Sequence, residues 1–154
     1  MRIAVGSDHA GFHLKQAVVA DLTARGHDVE DLGTDSPDRS VDWPDFGSAV
    51  GREVAEGRCE LGVAICGSGI GVAIAANKVP GVRAATVHDV TSARLAREHN
   101  HANVLCLGER LTGETVALEA LGAWLEATPE PGRHQSRIDK LGLLDQSPSA
   151  KGDR

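Results

Sequence analysis

The chain is poor in aromatic residues, with two Trp, two Phe and no Tyr in 154 residues. Nucleic-acid binders use such rings as stacking platforms and need a basic face for the phosphates. Here 16 Lys and Arg stand against 22 Asp and Glu, a formal charge of −6. Both shortages argue against nucleic acid as a partner. Cysteine is scarce and odd in number: Cys59, Cys66 and Cys106, none in a CxxC spacing. That usage fits free thiols in a cytoplasmic setting rather than a disulfide framework. No apolar run approaches the roughly 18 residues of a membrane span. The apolar stretch after Met1-Arg2 is too short to read as a signal peptide.

What is present suits an ordinary globular protein, with 41% hydrophobic and 25% charged residues. The length suits a single domain, expected over 1–144, with the polar residues 145–154 as a disordered tail. Short apolar runs alternate with helical patterns. Strands are expected at 2–7, 27–32, 61–66, 82–87 and 103–107, and 61–66 (LGVAIC), the most apolar, is placed centrally. Helices are expected at 11–25, 45–56, 72–78, 89–98, 112–127 and 133–144. Gly26 reads as a C-terminal cap, Asp89 as an N-cap, and Thr112 and Thr115 as candidate caps. Strand–helix alternation of this kind specifies an α/β fold, a five-stranded parallel sheet covered on both faces with a C-terminal helix. Ligands in such folds bind beyond the carboxyl ends of the strands.

Four clusters fall at those ends. Gly67-Ser68-Gly69-Ile70-Gly71 follows the central strand, and its amides can form a hole for a phosphate or an oxyanion. The spacing is G-x-G-x-G after the third strand, which departs from the dinucleotide fingerprint. Such a loop can also be a turn without a ligand. Cys66 abuts it, where a thiol can act as nucleophile or base, or can be buried and inert. Asp8-His9 follows the first strand and offers an acid and an imidazole, although Asp8 also suits a helix cap. His88-Asp89 and Gly108-Glu109-Arg110 follow the other two. Away from these, His99-Asn100-His101 is expected on a loop, a weak metal pattern without a third ligand. Arg133 and Arg137 are four apart on the last helix, so they share a face that can grip a phosphate or simply be solvated.

Five motifs in order, Ser7-Asp8-His9-Ala10-Gly11, Ile65-Cys66-Gly67-Ser68-Gly69-Ile70-Gly71, Ala75-Ala76-Asn77-Lys78, Arg97-Glu98-His99-Asn100 and Gly132-Arg133-His134-Gln135, resemble the B-type ribose-5-phosphate isomerases. The family also includes galactose-6-phosphate isomerase subunits, and the likeness runs from Met1 to about Leu144. It implies a Rossmann-like three-layer α/β/α sandwich without a nucleotide, no metal and no cofactor. It further implies a homodimer or tetramer whose active sites are shared between subunits. By resemblance, Cys66 is the base that moves a proton between C2 and C1. Ser68 and the backbone of Gly67, Gly69, Ile70 and Gly71 hold the enediolate. His99 with Asp8 opens the furanose ring, and Asn100 contacts an oxyanion. His9 and Arg110, with Arg133 and Arg137 of the partner, hold the phosphate, and His134 matches the same motif. Ser68 stands where many relatives carry Thr, and Trp43 where Tyr is frequent. Positions 72–76 offer no acid that could replace the thiol.

The expected activity is interconversion of D-ribose 5-phosphate and D-ribulose 5-phosphate. The same chemistry on a tetrulose 4-phosphate or a hexose 6-phosphate is one alternative, and a non-catalytic sugar-phosphate sensor is another.

Overall fold

The structure, a computed structural model, describes residues 1–146. Residues 147–154, most of the expected tail, lie outside the described residues, and the last helix runs one residue further than expected, to Asp145. Five strands, β1 (Arg2–Ser7), β2 (Asp28–Asp31), β3 (Leu61–Cys66), β4 (Ala84–Thr86) and β5 (Val104–Gly108), form one parallel sheet in the order β2-β1-β3-β5-β4. The helices are α1 (Phe12–Ala24), α2 (Trp43–Ala55), α3 (Ile70–Ala76), α4 (Val90–Asn100), α5 (Glu114–Glu126) and α6 (Arg133–Asp145). The α/β sandwich expected from the sequence is therefore present, with β3 at its centre.

Strand alternation sorts the core into two faces. Ile3, Val5, Val63, Ile65, Leu105 and Leu107 pack with α1, α4 and α5, and the fully buried Trp124 completes that face. The opposite face presents smaller groups, Ala4, Ala64, Cys66 and Cys106, to α2 and α3. Gly6 and Gly62 extend it: a Cβ on either would come within 2.7 Å or 2.5 Å of Val50. The bare backbone lets α2 approach the sheet closely.

Several helix ends differ from expectation; α3 both starts and ends two residues early, at Ile70 and Ala76. α2 starts two residues early because Pro44 occupies its first turn, where a missing N–H costs nothing. α4 continues to Asn100 and closes at His101 in the left-handed region, φ 49°. His99 and Asn100 therefore lie on the helix and not on a loop. At α5 the cap position is Gly113, with no side-chain cap bond, so neither Thr112 nor Thr115 caps it. Asp89 does cap α4, its carboxylate accepting from the Ser92 amide at 2.8 Å.

The sheet order reverses between β1 and β3. Helices flank opposite faces on either side of this point, which leaves a crevice beyond the strand ends.

Candidate active site

A cleft of about 310 Å³ opens at that crevice. The residues after β1 (Asp8, His9, Ala10), at and after the end of β3 (Cys66, Gly67, Ser68, Gly71) and after β5 (Arg110, Leu111) line it, with Trp43 as a side wall. The exits of β3 and β5 are joined beyond the sheet, with Glu109 N donating to Cys66 O and Arg110 N to Gly67 O, both at 3.0 Å. This ladder brings the arginine over the glycine loop.

Cys66 is the last residue of β3 and is nearly covered, yet its sulfur faces the loop. The Gly69 amide donates to Sγ at 3.2 Å. Gly69 sits at φ 76°, and a Cβ there would lie 2.9 Å from the Leu107 carbonyl carbon. Only glycine fits that turn. The Ile70 amide is taken by Ser68 Oγ at 3.2 Å. The amides of Gly67 and Ser68 have no acceptor among the described residues and belong to residues lining the cleft. Arg110 lies against Gly67, where a Cβ would be 3.1 Å from Nη1. Its guanidinium has no carboxylate partner among the described residues.

Asp8 is buried, and its Oδ1 accepts from the amides of Ala10 at 3.0 Å and Gly11 at 3.1 Å. It thus caps the short 3-10 turn His9–Gly11 that leads into α1. His9 Nδ1 accepts from the Val41 amide at 3.2 Å. In the neutral ring this places the proton on Nε2.

The remaining expected residues form a second group. His99 and His134 stack with ring centroids 4.2 Å apart and planes 3° from parallel. Glu130 Oε2 lies 3.4 Å from His134 Nε2 and 3.8 Å from His99 Nε2. The Glu130 amide donates to Glu98 O at 2.8 Å, and its carbonyl meets His101 Nε2 at 3.1 Å, which clasps the α5–α6 connection to the end of α4. Burial pushes the His134 imidazole below its ordinary value, and His99 and Arg133 add to the effect while Glu130 opposes it. Arg133 and Arg137 carry no carboxylate partner among the described residues.

These residues do not line the cleft. α4 leaves the carboxyl end of β4 and returns to the amino end of β5, so its last turn lies at the opposite edge of the sheet. Eleven helical residues span roughly 16 Å. Asp8 and His99 are therefore not paired within one chain. Asn100 lines a different cleft of about 390 Å³ at the β4 edge, with Arg83, Leu141 and Asp145. That cleft is larger but holds no thiol or imidazole.

The ligand atoms of His99, Glu130 and His134 lie within 4.8 Å of one another. The parallel stack aims the two ring lone pairs along parallel planes, so they do not converge on a shared ion. Glu130 escaped sequence reading because it stands between two helix-breaking prolines. Val41 escaped it because its contribution is a backbone N–H, which every residue but proline carries. Among the described residues, no helix is long and apolar enough to cross a membrane.

The Ribose/Galactose Isomerase family matches over residues 3–141. Ribose-5-phosphate isomerase B of Escherichia coli is 45% identical over 145 residues, covering 94% of this chain and 97% of the relative. The D-erythrulose-4-phosphate isomerase of Pectobacterium atrosepticum is 38% identical over 94% of this chain and 95% of its own length. The solved structure of ribose-5-phosphate isomerase B from Clostridium thermocellum superposes with a TM-score of 0.94 at 47% identity, covering 97% of this chain and all of that one.

Proposed function

This chain belongs to the ribose/galactose isomerase family, and from that premise we propose that it interconverts D-ribose 5-phosphate and D-ribulose 5-phosphate, with Cys66 as the proton-transfer base. The observation that carries the reading is the Cys66 sulfur in a cleft, facing a glycine turn. Among the described residues, the amides of Gly67 and Ser68 lack acceptors there and Arg110 lacks a carboxylate partner.

The reaction begins with the closed furanose. A base takes the proton of the C1 hydroxyl while an acid protonates the ring oxygen, and the aldehyde is released. The Cys66 thiolate then removes the C2 proton. Charge passes to the carbonyl oxygen, and the free amides with Ser68 stabilise that enediolate. Preorganised donors act strongly on charge that develops in the transition state, and loss of one typically costs about 100–1,000-fold in rate. The thiol returns the proton to C1, the 2-hydroxyl proton moves to the C1 oxygen, and the ketose results.

His9 and Arg110 reach the substrate phosphate from the same chain. Ring opening by Asp8 and His99 needs a second copy, because one chain holds them at opposite sheet edges. We infer a homodimer in which the partner's His99 and the partner's Asn100 meet Asp8 and the cleft. The partner's Arg133 and the partner's Arg137 close over the phosphate, and the partner's His134 supports them. The support is that Arg133 and Arg137 have no carboxylate partner among the described residues, together with exposed apolar side chains, Ile70 and Ile74 on α3 and Leu111 at the cleft. The buried free thiols Cys59 and Cys106 favour a reducing, cytoplasmic compartment.

Likeness to a D-erythrulose-4-phosphate isomerase favours a second reading, the same chemistry on a four-carbon sugar phosphate. A panel of aldose and ketose phosphates separates the two, since preference for the tetrulose would reject the pentose. Cys66→Ala is expected to lower turnover by more than about 100-fold and to leave ligand affinity within a small factor. Near-normal turnover in that variant would eliminate the thiol base.

A further inference from the structure

The two ends of the cleft are tied together by one short stretch of chain. At one end the Val41 amide donates to His9 Nδ1 at 3.2 Å. Two residues later the Trp43 indole lies on Gly71, so closely that a Cβ there would be 2.8 Å from Cδ2. His9 stands at the phosphate end of the proposed site and Gly71 at the enediolate end. Two residue steps cover at most about 7 Å, so this segment has little slack.

Nor is the segment free to drift. Asp42 is extended at φ −90° and ψ 115°, and Pro44 stiffens the first turn of α2 directly after Trp43. Behind it α2 is pressed onto α3, where a Cβ at Gly47 would lie 2.6 Å from Val72 O. The indole is thus fixed relative to the glycine loop by helix packing, and His9 is fixed relative to the indole by the main chain.

We propose that segment 41–43 is the gauge that sets which sugar-phosphate chain length the cleft accepts. The inference rests on the isomerase reading above and adds to it a specificity element. A sugar phosphate presents its phosphate and its reacting C1–C2 pair at opposite ends. Adding or removing one carbon changes that span, while the pairing of β1 with β3 fixes the distance between His9 and the Gly67–Gly71 turn and the tether holds the indole across it. The bulky, rigid indole also fills the side of the cleft that an extra hydroxymethylene would occupy.

The experiment compares kcat/KM for an aldotetrose 4-phosphate, an aldopentose 5-phosphate and an aldohexose 6-phosphate. Wild-type protein that isomerises none of them would refute the isomerase reading itself, whatever the tether does. With an active wild type, Trp43→Ala is expected to narrow the preference between the best substrate and its one-carbon-longer neighbour by about tenfold, within the range that one methylene commonly commands. Trp43→Phe retains most of the preference. Gly71→Ala, which pushes the indole outward while leaving the Val41–His9 bond in place, relaxes it in the same direction and serves if Trp43→Ala does not fold. Val41→Pro deletes the amide donor and raises KM more than it lowers kcat. Folding of each variant is checked by the fluorescence of the buried Trp124. Folded, active variants at Trp43 and Gly71 with unchanged length preference would overturn the gauge.

Discussion

Three cysteines of one chain are set apart by position alone. Cys66 ends its strand in the cleft, whereas burial pushes the thiols of Cys59 and Cys106 up. A thiol-alkylating reagent is therefore expected to modify one sulfur in the native protein, with activity lost in step and a sugar phosphate protecting. Mass mapping that found Cys59 or Cys106 modified first would contradict this. His134 supplies a second residue-scale test. Its imidazole binds a proton less readily in the fold than in the unfolded chain. On acidification below about 6.5 the unfolded state takes up the proton first, so stability falls as pH falls. The groups facing it are His99, Arg133, Arg137 and Glu130. His134→Asn should flatten that part of the profile of thermal midpoint against pH, and an unchanged slope would remove His134 as its source. Cys66 was legible in the sequence because a strand running into a glycine-rich loop marks a site without any tertiary knowledge. The stack of His99 on His134 was not, since it depends on where two helices cross and on a clasp made by main-chain atoms of Glu130.

At the scale of elements, the central strands read directly: β1 and β3 have the boundaries their apolar runs suggest. Helix ends were harder, because caps compete. Pro44 could open α2 or end the loop before it, and tertiary contact between Trp43 and Gly71 decides for the helix. At α4, His101 adopts a left-handed conformation that sequence rules reserve mainly for Gly and Asn, so the sequence reading puts the candidate residues His99 and Asn100 on a loop instead of the helix. The α2–α3 contact makes its own prediction. Gly47→Ala forces a methyl group to within 2.6 Å of a backbone oxygen. Overpacking of this kind typically costs about 1–3 kcal/mol. Urea unfolding should show a lowered midpoint, and a midpoint equal to wild type would mean that α2 can lift without penalty.

For the molecule as a whole, the parallel topology places the C-terminus of each helix that joins two strands at the sheet edge away from the cleft. The sequence carried every motif but not their separation across that distance, because motif order says nothing about which edge a residue occupies. If the site is completed by a second copy, two defective chains can repair one another. Cys66→Ala and Arg137→Ala, each inactive alone, should regain part of the wild-type rate when mixed and allowed to exchange. Hybrids that form, as judged by mass, but stay inactive would contradict a site built across two chains.

The close seat of α2 over Gly6 and Gly62 has one more consequence. Trp43 is the first residue of that helix, so the rim of the cleft is carried on a lever whose fulcrum is the glycine-floored interior. A methyl group added at position 62, remote from any bound sugar, would tilt the rod and displace its aromatic tip. Changes in substrate choice can therefore originate deep in the sheet, and a search for altered selectivity has reason to begin beneath α2 as well as at the surface it supports.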